Sequence, residues 1–371
     1  MSSTSADIVL VVVVATALLF DFTNGFHDTA NAVATTISTR AMAPRVAVAF
    51  AALLNFAGAF ISLKVATTIA KGIVSTGRIT TPVIFAGLVG AIIWNLITWY
   101  RGLPSSSSHA LIGGLVGAVL VAHGTGAVQG AGLLGKVILP AVISPTLAFV
   151  VAAISVVIAY RLLARRPPGF VSRGFRYGQV LSSGLLSLSH GTNDGQKTMG
   201  VITLALVAHG SVKAAHLHVP VWVIASAATA MGLGTYAGGW RIIKTTGMRI
   251  INMNPAQGFA AQGAGAAVIL AVSHFGFPIS TTHVINGGVI GSGAARRLSA
   301  VRWGVAGNIV AAWILTLPAA GTCGAAVYGI TRIFGRGALG PLVVVIIGLA
   351  TTLVLAMRVT SRRRMREAVA R

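Results

Sequence analysis

Apolar segments of about 20 residues, the length that crosses a bilayer as a helix, recur along this chain. They include Val46–Ala70, Pro82–Tyr100, Val137–Leu163, Val219–Gly239 and Leu339–Met357. Such a chain must satisfy its backbone groups within helices or within a closed barrel. A barrel would alternate polar with apolar residues along each strand, and these segments do not. Composition agrees: 55% of the 371 residues are hydrophobic, five side chains are acidic, and the mean hydropathy is +0.85. The expected fold class is an all-α polytopic membrane protein, lodged in the cell (plasma) membrane with its glycine-containing helices packed as a bundle.

The first apolar stretch, Ile8–Phe20, lacks a basic leader and runs straight into charged residues, so a first span is expected rather than a cleaved signal peptide. The net charge of +23 is not a nucleic-acid signature, because the basic residues lie in short stretches between apolar segments and no separate polar domain holds them. Arg161, Arg165, Arg166, Arg173 and Arg176 place the middle linker in the cytoplasm, and Arg358, Arg362, Arg363, Arg364 and Arg366 place the tail there. Counting outward from the linker puts Arg40/Arg45, Arg241/Lys244/Arg249 and Arg296/Arg297/Arg302 on the same side and the N-terminus outside. Lys64, Lys71 and Arg78 fall near the outer side, against the rule. Cys323 is the one cysteine, lies in an apolar segment and reads as a packing residue.

The chain also repeats itself. "NGFHDTANAVATTIS" (24–38) and "HGTNDGQKTMGVITL" (190–204) align Gly25 with Gly191 and Asp28 with Asp194. "RGLPSSSSHALIGGLVGA" (101–118) and "FGFPISTTHVINGGVIGS" (275–292) align Gly102 with Gly276, Pro104 with Pro278, Ser106 with Ser280, His109 with His283, and Gly117 with Gly291. With the basic loops, this order predicts an inverted-repeat secondary transporter with two broken helices and two Pro-Ser/Thr hairpins. Residues 1–162 form the first inverted repeat, 163–175 a cytoplasmic basic linker, 176–333 the second inverted repeat, and 334–371 a final transmembrane helix with a basic cytoplasmic tail. Each repeat is expected to hold its aspartate on a broken helix and its hydroxyls on a hairpin.

Gly102-Leu103-Pro104 and Gly276-Phe277-Pro278 should end a helix and leave the hydroxyl run at the first turn of the next, where backbone N–H groups are free. Such a terminus attracts anions, and two pointing in from opposite sides would cage a tetrahedral oxyanion without a fixed cation. Ordinary capping at a kink is the plainer alternative, although one serine would suffice for it. His109 and His283 read either as packed rings or as proton-handling groups. An acidic side chain at the bilayer centre costs roughly 2.5 to 3.5 kcal/mol or more, so Asp28, Asp194 and the unmatched Asp21 should line a cavity or bind an ion. With Asn24, Asn31 and Asn193 they offer oxygen ligands for a cation, or a proton site. Lys197 is either the partner of Asp194 or a snorkelling interfacial residue.

At these residues the sequence resembles the inorganic phosphate transporter (PiT) family, whose mark is a duplicated Gly-x-Asn-Asp element paired with Pro-Ser/Thr-rich elements. The resemblance covers almost the whole chain. It implies a secondary carrier, not an enzyme, that needs no cofactor and imports inorganic phosphate on a proton or sodium gradient. In bacterial relatives the cargo can be a neutral divalent metal–phosphate complex. Phosphate contacts are implied for Ser106, Ser107, Ser108, Ser280, Thr281, Thr282 and Gln196, and coupling-ion ligands for Asp28, Asn31, Asn193 and Asp194. Asp28 and Asp194 would hold the ion if it were sodium; Asp21, His27, His109 and His283 are candidates for handling a proton. His27 stands where the sodium-type pattern has asparagine, which favours protons. Inorganic phosphate, the lipid bilayer and a second copy of the chain as a homodimer are the candidate partners, with no nucleic acid.

Sulfate is the nearest rival cargo, but it is fully ionised and offers only acceptors, whereas phosphate near neutral pH keeps a proton that a carboxylate can accept in a hydrogen bond. An intramembrane aspartyl protease also needs two membrane acids. Its Gly-x-Gly-Asp element is absent, since residues 191–194 read Gly-Thr-Asn-Asp. A passive anion channel stays open as the third alternative.

Overall fold

Backbone groups in hydrocarbon find no water, and among the described residues of the computed structural model every regular element is helical. The structure describes residues 3–72, 79–213, 215, 217–335 and 337–351. In chain order the helices are α1 (Ser3–Ser38), α2 (Pro44–Gly58), α3 (Lys64–Gly72), α4 (Thr81–Arg101), α5 (Ser107–His123), α6 (Gly130–Leu133), α7 (Leu139–Leu163), α8 (Pro168–His209), α9 (Val221–Ala237), α10 (Trp240–Lys244), α11 (Pro255–His274), α12 (Thr281–Ala294) and α13 (Trp303–Ile333). An apolar helix, Leu339–Thr351, follows. Among the described residues five helical segments are long and apolar enough to cross a membrane, or six if α9 and the 240–249 segment form one span bent by 58°. The tail arginines, Arg78, the side chain of Lys71 and the end of the span expected to reach Met357 lie outside the described residues.

The two hairpins form where glycine and proline predict them. Helix α4 ends at Gly102, whose φ of 66° is left-handed, and α5 starts from Ser106, whose hydroxyl accepts the backbone N–H of His109 at 3.1 Å. The second copy repeats this: Gly276 has φ 78°, and the Ser280 hydroxyl accepts the N–H of His283 at 3.2 Å.

The acid-bearing helices, by contrast, are not broken. Helices α1 and α8 run through Asp28 and Asp194 without interruption, over 36 and 42 residues. Neither has a proline beyond its first position, and glycine by itself leaves the helical hydrogen bonds in place. The breaks fall one element later. Val46–Ala70, expected as one span, divides at residues 59–63 because a second helix starts there: the Gln196 side-chain oxygen accepts the N–H groups of Val65 and Ala66 at 2.9 and 3.2 Å. Its counterpart divides at Gly238, where φ is 74°. Helix α8 begins at Pro168, inside the segment expected as the basic linker, where the proline ring presets the first helical φ.

Packing follows a matched scheme. Helix α1 lies against α9 as α8 lies against α2, and α5 lies against α13 as α12 lies against α7. Small residues let these backbones approach. A methyl group at Gly117 of α5 would collide with the Gly321 carbonyl of α13, and one at Gly291 of α12 would collide with the Phe149 carbonyl of α7. The halves also clasp each other's hairpins. Lys64 donates to the His274 carbonyl at the end of α11 at 3.0 Å, and Arg241 donates to the Tyr100 carbonyl at the end of α4 at 2.7 Å. Lys64, which ran against the charge rule, therefore serves as a cation on helix-terminal carbonyls.

The Gly117 contact makes a direct prediction. Gly117→Val should destabilise the protein by about 1 to 3 kcal/mol, read as an earlier thermal unfolding transition in detergent. An unchanged transition would show that α5 and α13 can part without cost.

Candidate functional site

The hairpin turns deliver the N-termini of α5 and α12 to the middle of α1 and α8. Thr281 and Thr282, in the first turn of α12, divide between the two acids. The Thr282 hydroxyl donates to Asp28 Oδ1 at 3.3 Å, and the Thr281 hydroxyl donates to Asp194 Oδ2 at 3.1 Å. Asn31, one turn after Asp28, donates its amide to both hydroxyls at 3.2 and 2.9 Å. The first hairpin reaches neighbours of the same two acids. Ser107 Oγ lies 3.4 Å from His27 Nδ1, and Ser108 accepts from the Lys197 ammonium. All of these side chains are buried, so each polar atom without a partner would be costly.

Each acid has its own nitrogen neighbours. His27 Nδ1 stands 2.7 Å from Asp28 Oδ1, and its Nε2 faces Thr98 Oγ1 at 3.1 Å and Ser105 Oγ at 3.3 Å. Asp194 pairs with Lys197 through Oδ1 and has His190 Nε2 at 3.3 Å from Oδ2. Lys197 is thus the acid's partner and does not snorkel; it is 1% exposed. The candidate ligand atoms of Asp28, His190 and Asp194 all lie within 4.8 Å of one another.

Other expected site residues are placed apart. Gln196 is committed to the start of α3, with its amide donating to the Thr192 carbonyl, and does not face the hydroxyls. Asn193 turns to Ser273 at 2.7 Å and to the Phe277 carbonyl at 3.2 Å, which anchors the second hairpin. Ser106 and Ser280 are the capping residues of their helices. His109 and His283 meet edge to face at 4.7 Å, and His283 stacks on Trp313 at 4.1 Å, beside an apolar cavity of about 500 Å³ between α7, α12 and α13. They pack on each other and, among the described residues, neither ring bonds to an acid. Asp21 lies two turns before Asp28 on α1, fully buried, with the Thr198 hydroxyl and the Asn24 side chain beside its carboxylate.

Sequence reasoning missed His190, Thr98 and Ser105. His190 was accessible in principle, since it precedes Asp194 by four residues and so shares its helix face. Thr98 carried no such signal: it reaches His27 because the packing of α4 beside α1 brings it there.

A sequence model of the phosphate transporter family matches residues 24–324, from the first acid motif to beyond the second hydroxyl motif. The chain belongs to this family. Among its relatives is the probable low-affinity inorganic phosphate transporter of Mycobacterium tuberculosis (strain ATCC 25618 / H37Rv), 54% identical over 88% of this chain and 78% of that one. The protein of the same description from Bacillus subtilis (strain 168) is 45% identical over 86% and 96% of the two chains. A solved structure described as the sodium-dependent phosphate transporter superposes with a TM-score of 0.79 at 26% identity, covering 88% of this chain and 99% of that one. The fold and the relatives are those of transporters, and this member of the phosphate transporter family is a multi-pass membrane protein.

The threonine bridge between halves is open to test. Thr282→Val removes a donor to Asp28 and an acceptor from Asn31, and should cost about 1 to 3 kcal/mol of stability. Thr146→Val, on an exposed face of α7, is the matched control and should leave the thermal transition where it is. Equal behaviour of the two variants would show that the bridge contributes nothing.

Proposed function

We propose that this chain is a secondary carrier importing inorganic phosphate across the plasma membrane on a proton gradient, built from two inverted repeats. The observation that carries the reading is the meeting of two hydroxyl-bearing helix N-termini with two buried acids at one place. N–H dipoles and hydroxyls receive the anion's oxygens, and an acid accepts the proton that phosphate keeps near neutral pH. Fully ionised sulfate would meet the same acids with acceptors alone. Within the cage, Ser107, Thr281 and Thr282 contact the cargo, while Ser108 is held by Lys197 and the Ile279 carbonyl, and Ser106 and Ser280 hold the two helix starts that point at it. The exchange of partners between halves, α1 with α9 and α8 with α2, supports the inverted repeat.

Two nitrogen neighbours support proton coupling. Sodium would need the carboxylate oxygens for itself, yet His27 stands on Asp28 and Lys197 on Asp194. A carboxylate–imidazole pair in a dry site is chemistry suited to taking up and releasing a proton. The proximity of Asp28, His190 and Asp194 supports a second cargo, the neutral complex of phosphate with a divalent metal, in which these three side chains would face the metal. Uptake of labelled manganese together with phosphate, lost in His190→Ala, would decide for that cargo; phosphate entering without metal would decide against it.

Radiolabelled phosphate uptake into proteoliposomes tests the main reading. Uptake should rise as external pH falls from about 8 to about 6 at matched monoanion concentration, persist without sodium and vanish with a protonophore. Strict dependence on sodium would reject proton coupling, and transport indifferent to any gradient would identify a channel. Asp28→Asn should leave a folded protein that no longer concentrates phosphate. Ser107→Ala and Thr281→Ala should each weaken phosphate binding by about 1 to 3 kcal/mol, and unchanged affinity in both would remove the cage.

A further inference from the structure

The two acids match in the repeat, but their surroundings do not. Position 31, three residues after Asp28, is asparagine; position 197, three residues after Asp194, is lysine. The Lys197 ammonium touches a carboxylate oxygen (Asp194 Oδ1), a hydroxyl (Ser108 Oγ) and a backbone carbonyl (Ile279, 2.8 Å), and it is buried. Carboxylate, hydroxyl and carbonyl oxygens converging on one point are the ligand types that hold a hard cation. Ser108 also donates to the Ile279 carbonyl at 3.1 Å, so two of the three ligands are themselves braced together. They come from three separate elements: α8, the first turn of α5, and the turn before α12.

We infer that Lys197 is a tethered counter-cation that permanently fills an alkali-cation position beside Asp194, so that the second half of the carrier takes no sodium there. A sodium ion does not fit this place while the ammonium holds it, since both would claim the same carboxylate, hydroxyl and carbonyl. The tether also removes the entropy of capturing a free ion, and it joins Asp194 to the N-terminal turn of α5. The charge belongs to the protein and moves no net ion across the membrane with each phosphate. The inference deepens the phosphate-carrier reading and rests on it.

The test is Lys197→Asn, which gives the second half the residue of the first. Purified wild type, the variant and Asp194→Asn/Lys197→Asn are compared in sodium and in choline salts, at one pH, by bound radioactive sodium and by thermal unfolding without phosphate. Phosphate uptake by the first two is then measured in the same salts. Lys197→Asn should bind one more sodium ion per chain than wild type, unfold later in sodium than in choline, and show phosphate uptake about tenfold higher in sodium. The double variant should lose the added sodium ion. A sodium response in Lys197→Asn no larger than that of wild type would overturn the inference. So would loss of phosphate uptake in both salts by folded Lys197→Asn, which would assign the ammonium to the phosphate itself. If Lys197→Asn does not fold, wild type and Asp194→Asn decide: sodium bound by wild type and lost with Asp194 would show that the ammonium does not exclude it. Failure of the phosphate reading looks different, because wild type would then transport no labelled phosphate in either salt.

Discussion

Two carboxylates inside a helical bundle are the constraint from which the rest of this structure follows. Neither could remain there without partners: Thr281 and Thr282 come from far along the chain, in the second hairpin, while His27 and Lys197 are near neighbours on the acids' own helices. Holding those donors in register requires two interrupted helix pairs whose N-termini end inside the protein. It also requires the long acid helices to remain uninterrupted.

The duplication gives this site its frame and not its detailed chemistry. Glycine and proline place both hairpins alike, Ser106 and Ser280 cap them alike, and His109 meets His283 across the pair. Within the acid helices the copies diverge: histidine precedes Asp28 and asparagine precedes Asp194, while asparagine and lysine stand three residues after them. A common scaffold therefore carries two unlike half-sites, one held by an imidazole and one by an ammonium.

Much of this was legible in the amino-acid order, for identifiable reasons. Helix class followed from apolar length, and the hairpins followed from Gly102, Pro104, Gly276 and Pro278, since those residues restrict the backbone locally. The direct contact of Thr281 and Thr282 with the two acids was not legible, because it depends on how α12 packs against α1 and α8. The division of Val46–Ala70 was not legible, because it depends on Gln196, more than a hundred residues away, supplying the acceptor that starts α3. The assumption that the acid helices break failed for a related reason. Glycines at 25 and 191 serve close helix contacts, with Thr235 of α9 and Asn55 of α2, and those roles look the same in sequence as a kink. Gln196 was grouped with the phosphate contacts because it adjoins Asp194, although its position on the helix turns it to α3.

The crossed clasps at the hairpin ends have a mechanical consequence. Arg241 and Thr245 hold the Tyr100 and Gly102 carbonyls, and Lys64 holds the His274 carbonyl, so each hairpin root is fastened to a short helix, or to the turn that follows it, in the opposite half. A hairpin can shift only if that fastening travels with it or lets go. The working parts are then not the two halves as they follow one another in the chain, but two composite bodies, each made of one half's hairpin and the other half's short helix.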